Sequence, residues 1–255
     1  MVLKFFLLAS IFLFTSCSDL GERDNPDDPD GINYQGGEFP SSSSGSTQTG
    51  IIYGDPIYYD GETYETVVIG TQTWFKRNLN YAAPDSKCGN GSSLSDANTT
   101  TCNTYGRLYN WATAMALDAS CNSSTCASKI NAKHRGICPD GWHIPSNADW
   151  DKLVRYVDGS TGTSSPYDSP TAGRYLKATN GWNSNGNGQD KYGFSALPGY
   201  SDGSFYYVGY SGNWWSASER NANYAYYRSM VYDGEFVRYE SYGKSLLYSV
   251  RCLQD

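Results

Sequence analysis

The sequence predicts an α+β domain whose strands pair mostly antiparallel. Three observations predict it. Two segments with helical apolar spacing, at 105–119 and 147–157, come first. Five short strand candidates crowd the last 63 residues, from 193 onward. The composition, with 23 Tyr, 27 Gly and only 18% charged residues, favours short strands and long ordered loops over long helices. Two helices followed by a run of strands is the α+β order. No period of 20–50 residues recurs, which excludes solenoids and propellers.

Near the start, Lys4 precedes the apolar run "FFLLASIFLF" at 5–14, ten residues and too short to span a bilayer. "FTSC" then sets small residues before Cys17. The stretch resembles a bacterial lipobox, which implies a signal peptide over 1–17, acylation of Cys17 and a membrane partner reached through lipid. Ordinary secretory cleavage is the alternative, since Phe14 is not the preferred residue at its position. The expected location is the cell envelope, at the outer membrane and exposed at its surface. Residues 18–50 hold almost no aliphatic side chains and many Asp, Pro, Gly and Ser, so they read as a disordered tether. The globular part is expected over 51–255.

Within it, "TYETVVIGTQTWFKRNL" at 63–79 is a hairpin in outline, with "GT" as its turn. In 105–119, Leu108, Trp111, Ala112 and Met115 share one helical face. The second helix has Ser146 as N-cap, Asp149 three residues later, and Trp150, Leu153, Val154 and Val157 as its apolar stripe. "DG" at 158–159 ends it. Strands are expected within 193–199, 213–218, 224–232, 236–242 and 245–253; in the last, Leu246, Tyr248, Val250 and Cys252 alternate.

Without Cys17, six cysteines remain, and in an exported chain they read as three disulfides. Cys121 and Cys126 flank four residues; Cys88 and Cys102 bracket a polar insert; Cys138 is then left for Cys252. Zinc is disfavoured because no C-x₂-C pair occurs and only His134 and His143 could add nitrogen. The formal charge of −7, with no Lys/Arg cluster, excludes nucleic acid as a partner.

"TVVIGTQTWFKRNLNYA", "YGRLYNWATAM", "CPDGWHIPSNADW", "YGFSALPG", "WWSAS", "AYYR" and "SVRC", in this order and spacing, resemble the Fibrobacter succinogenes major paralogous domain over about residues 55–252. Ile144 and Asp149 stand where leucine and glutamate are usual, and the last segment lacks a common glycine. The resemblance implies a C-type-lectin-like fold, related to that of formylglycine-generating enzymes, with a compact mixed sheet, two helices and a long loop region. It implies that Cys138 and Cys252 join the region before the second helix to the last strand. The copper thiols of those enzymes have no free counterpart here.

Chemistry is sparse. Cys138 and His143 could form a nucleophile and base, but an oxidised Cys138 has no thiolate, and "GWHIP" suits a structural histidine. His134 reads as a surface residue. No G-x-S-x-G elbow occurs, and nothing singles out a carboxylate pair. The expectation is therefore no enzyme, no catalytic residue and no metal. Asn183, Asn185, Asn187 and Gly188, with Asp190, mimic the start of a calcium loop, but its twelfth position is Phe194 rather than Glu, so cofactors are none, with calcium as a minor alternative. Glu219, Asn221 and Asn223 form a second oxygen-rich cluster. Eleven tyrosines lie between 192 and 242, and Tyr206, Tyr207, Tyr210 and Tyr224 fall at or near loop ends. Aromatic faces with a hydroxyl suit sugar rings or protein hot spots. The expected ligand surface is thus Asn185, Asn187, Asp190, Tyr206, Tyr207, Tyr210, Glu219, Asn221 and Tyr224, for a glycan first and a surface protein second. A carbohydrate-active enzyme is the remaining alternative.

Overall fold

The computed structural model describes residues 50–90, 93–159, 167–199 and 208–255. The signal, Cys17, the tether, Tyr206 and Tyr207 lie outside them.

Three antiparallel strands open the domain: β1 (Ile52–Tyr59), β2 (Glu62–Ile69) and β3 (Gln72–Phe75). Gly70, at φ +59°, makes the β2–β3 turn where a side chain would meet the Tyr156 ring. The two-residue period of β2 puts Tyr64 and Thr66 inside and Thr63 and Glu65 outside. A small ribbon, β4 (Cys88–Asn90) with β5 (Ser93–Ser95), and the short helix α1 (Thr100–Tyr105) then bring Cys102 back to Cys88. Helix α2 (Trp111–Ala114) is followed by two 3₁₀ turns that carry the Cys121–Cys126 bridge.

Strand β6 (Trp142–His143) leads into α3 (Asn147–Asp158). The expected capping box forms: Ser146 Oγ accepts from Asp149 N at 3.3 Å and Asp149 Oδ2 accepts from Ser146 N at 2.8 Å. Gly159 closes the helix in the left-handed conformation, and Trp150, Leu153, Val154 and Val157 are buried. Strand β7 (Tyr167–Ser169), helix α4 (Ala172–Leu176), and strands β8 (Ser211–Glu219), β9 (Tyr224–Val231), β10 (Val237–Gly243) and β11 (Leu253–Gln254) complete the chain.

The strands form a five-stranded sheet, β1-β2-β3-β11-β6, and a four-stranded sheet, β7-β10-β9-β8. All named strand pairs are antiparallel. Between the sheets runs the extended segment 245–252. Tyr248 bridges Tyr109, Ser249 bridges Trp214, Val250 O accepts from Leu79 N, and Cys252 O accepts from Phe75 N. The Cys138–Cys252 bridge fixes its end. One aromatic cluster (Tyr64, Phe75, Trp111, Trp142, Trp215, Tyr248) and a second (Trp74, Trp150, Trp182, Phe194, Trp214) fill the interior on its two sides. No helix among the described residues is long and apolar enough to cross a membrane.

Three expectations are corrected. The helix at 105–119 shrinks to Trp111–Ala114, because Gly106 at φ +77° breaks the turn and Leu108 and Tyr109 bond instead to Lys87 and Tyr248. Segment 193–199 is a loop, with one bridge between Ala196 and Lys177. Segment 245–253 is not a continuous strand, making single bridges at Tyr248 and Ser249 before β11 begins at Leu253. Leu246, Tyr248, Val250 and Cys252 do turn to one aromatic cluster as expected, with Ser249 and Arg251 buried on the other side. Strand β1 was not expected at all.

Candidate functional site

Cys138 and His143 are fixtures. Cys138 is bonded to Cys252 and has no thiolate to offer. The buried His143 ring bonds Asp255 Oδ1 from Nδ1 at 2.8 Å and faces Asp149 Oδ2 at 3.6 Å. Burial opposes its charge, but the two carboxylates outweigh that and raise its pKa. The imidazole thereby links β6, the start of α3 and the last residue. His134 is not a free surface group: its Nε2 bonds Met115 O at 2.8 Å.

The residues expected to form one ligand surface separate into two. Asn185 and Asn187 border an open cleft of about 250 Å³ together with Arg174, Lys177, Tyr232 and Glu235. Asn187 Oδ1 accepts from Trp182 N, which holds the loop. Tyr210 packs edge-on against Tyr232, ring centres 5.3 Å apart. Asp190 is turned to internal work, accepting from Ser195 N and Ser195 Oγ, each at 2.6 Å. Asn221 and Tyr224 lie at the far end of β8, and nine residues at ~3.3 Å each put that end about 30 Å away.

Glu219 requires a correction. Its side chain is only 3% exposed; it pairs with the fully buried Lys244 and accepts from Cys126 N and Ala127 N. Lys244 Nζ also donates to the carbonyls of Cys121, Ser124 and Ala222 and lies 4.6 Å from the Trp111 ring centre. A carboxylate so engaged has no lone pair directed to solvent. It anchors the 121–129 loop to the sheet.

At that same end the sheet itself is concave. A hollow of about 580 Å³ is lined by Tyr226 and Tyr227 of β9, by Tyr239, Glu240, Ser241 and Tyr242 of β10, and by Arg220 just past β8. Antiparallel register sets Tyr226 opposite Ser241 and Arg228 opposite Tyr239. Tyr226 and Tyr239, diagonal neighbours, therefore stack, with ring centres 4.9 Å apart and planes 15° apart. The floor is rigid. Buried Arg228 lies under the Tyr239 ring at 4.5 Å and bonds Asp151 Oδ1 at 2.6 Å, and Asn147 Nδ2 donates to Tyr239 Oη at 3.2 Å. Burial, then the neighbouring Tyr226 hydroxyl, raises the Tyr239 pKa, so its phenol stays neutral. Tyr227 Oη donates to Glu240 Oε2 at 2.6 Å, and Arg220 Nη1 donates to Ser241 Oγ at 2.6 Å. On the rim, Tyr242 is 56% exposed and Tyr224 42% exposed, with ring centres 6.4 Å apart.

None of the expected residues lines this hollow; Tyr224 comes nearest, its ring against that of Tyr242. Tyr226, Tyr239, Glu240, Tyr242 and Arg220 were missed, although Tyr224, Tyr226 and Arg228 follow the two-residue period of one strand face and could have been read that way. Among the described residues no group of three or more His, Cys, Asp or Glu comes together as metal ligands would.

A family model described as the Fibrobacter succinogenes major domain matches residues 67–254. No curated protein and no solved structure matches the chain.

Proposed function

The chain belongs to the Fibrobacter succinogenes major domain family, and from that premise we propose that it is a lipid-anchored envelope protein whose C-type-lectin-like domain binds polysaccharide outside the cell. The observation that carries the reading is the rigid tyrosine hollow on β9 and β10. A pyranose ring has an apolar face of C–H groups and a rim of hydroxyls. Tyr242, which lines the hollow, offers an exposed ring face to the first, extended by the neighbouring Tyr224 ring, while Arg220 and Glu240 offer a donor and an acceptor to the second. The floor is fixed by Arg228 and Asn147, so little side-chain entropy is lost on binding.

A protein partner is the second reading, favoured by the same exposed tyrosines, which are common anchors of interfaces. Hydrolysis is less well supported. The hollow is lined by a single carboxylate, Glu240, and that group is already bonded to Tyr227, whereas glycosidases use two. The ligand is held through rings and hydrogen bonds, without calcium.

Affinity electrophoresis through gels that contain soluble polysaccharides tests this. The full chain is expected to be retarded by at least one polymer, equally with and without EDTA. Retardation by none would sink the reading, and loss on chelation would make it a calcium site. The anchor has its own test. Cys17→Ser is expected to move the protein from the membrane to the soluble fraction, and a variant that still sediments with membranes would show that Cys17 carries no lipid.

A further inference from the structure

The charges around the tyrosine hollow are paired, with one exception. Glu219 is bound by Lys244, Asp151 by Arg228, and Glu240 by the Tyr227 hydroxyl at 2.6 Å, with Arg238 Nη1 3.9 Å from its other oxygen. Arg220 is different. Its backbone N–H is anchored to Tyr224 O at 3.0 Å, and its Nη1 donates to a neutral hydroxyl, Ser241 Oγ. Among the described residues it has no carboxylate partner. The side chain is exposed and lines the hollow, as the exposed Tyr242 also does. Its Nε and Nη2 are left to meet a ligand.

A guanidinium presents a planar fork of donors that matches a carboxylate in two parallel bonds, and such charge-assisted pairs are the stronger kind. Here the fork is held by Ser241 next to ring faces that suit a sugar. We infer that the hollow selects carboxylated sugars, so that its ligand class is a polymer of uronic acids. This rests on the polysaccharide reading and narrows it. The ring of the uronic acid covers Tyr242, and its carboxylate takes the place beside Arg220 that no protein acid fills. The selectivity is local: the chain carries −7 overall and would otherwise repel a polyanion.

Polygalacturonate and its fully methyl-esterified form share one backbone and differ in that charge. The full chain is expected to bind the acid about tenfold more tightly than the ester, the scale of one charged hydrogen-bonded contact. Arg220→Gln should weaken binding of the ester, whose hydroxyls Arg220 also meets, by a few-fold at most. It should leave the melting temperature unchanged, which reports a folded hollow, and should abolish or reverse the preference for the acid. Equal or weaker binding of the acid by the unaltered chain would overturn the inference while leaving a neutral-glycan reading intact. A preference that survives in R220Q would overturn it as well, by placing the carboxylate elsewhere. Failure to bind either form or any neutral polymer would remove the polysaccharide reading and this inference together.

Discussion

Lys244→Met is expected to destabilise the domain by about 3–5 kcal/mol, the cost of stranding a buried charge. Lys244 is fully buried, and its ammonium donates to Glu219 and to three main-chain carbonyls. Without it, Glu219 would keep its two N–H donors from Cys126 and Ala127 but lose the cation that offsets its charge. The three carbonyls would lose a donor at the same time. Urea denaturation of the full chain measures this. The double variant Lys244→Met with Glu219→Gln should recover part of the loss, because the amide oxygen still accepts and no charge is left buried. If the single variant loses under 1 kcal/mol, water reaches the pair and it is not the anchor of the 121–129 loop.

Removal of the Cys138–Cys252 bridge, with both residues changed to alanine, is expected to cost about 5 kcal/mol. The bridge closes 114 residues, so it restrains the unfolded chain more than the bridges that close 14 and 5. In the chain-entropy treatment those two are worth about 3 and 2 kcal/mol. Cys138 and Cys252 lie in the core, at the point where segment 245–252 bonds to β3. Denaturant midpoints of the three alanine pairs should therefore fall furthest for this one. A larger loss from the Cys121–Cys126 pair would show that loop closure is not what the long bridge supplies.

What could be read from the sequence was local. The cap, stripe and glycine stop of α3 lie within fourteen consecutive residues, and each follows from spacing alone. The disulfides were legible because two pairs close short loops and leave one pairing. Strand β1 was not, because Asp55 and Pro56 interrupt its alternation at a bulge between Gly54 and Ile57. The segment 245–253 looked like a strand, but from Tyr248 to Leu253 every residue is buried, which no two-residue pattern can announce. Non-local pairing also hid the site. Glu219 resembled a surface ligand until Lys244, 25 residues on, closed over it. Tyr226 and Tyr239 are 13 residues apart in the chain and become stacked neighbours only through the register of β9 with β10. Tyrosines at loop ends drew attention, whereas those on strand faces built the hollow.

The central claim is that exposed rings of this hollow bind sugar. Binding of the retarding polysaccharide by Tyr242→Ala, measured beside its melting temperature, tests it most directly. Tyr242 is 56% exposed, so its loss should leave the fold intact. Stacking worth ~0.5–1.5 kcal/mol together with the lost apolar cover predicts binding about tenfold weaker, with melting unchanged within ~2 °C. Tyr58→Ala, which removes a ring 75% exposed on β1, should change neither. Undiminished binding by Tyr242→Ala, or an equal loss in Tyr58→Ala, would contradict the claim and place the ligand away from β9 and β10.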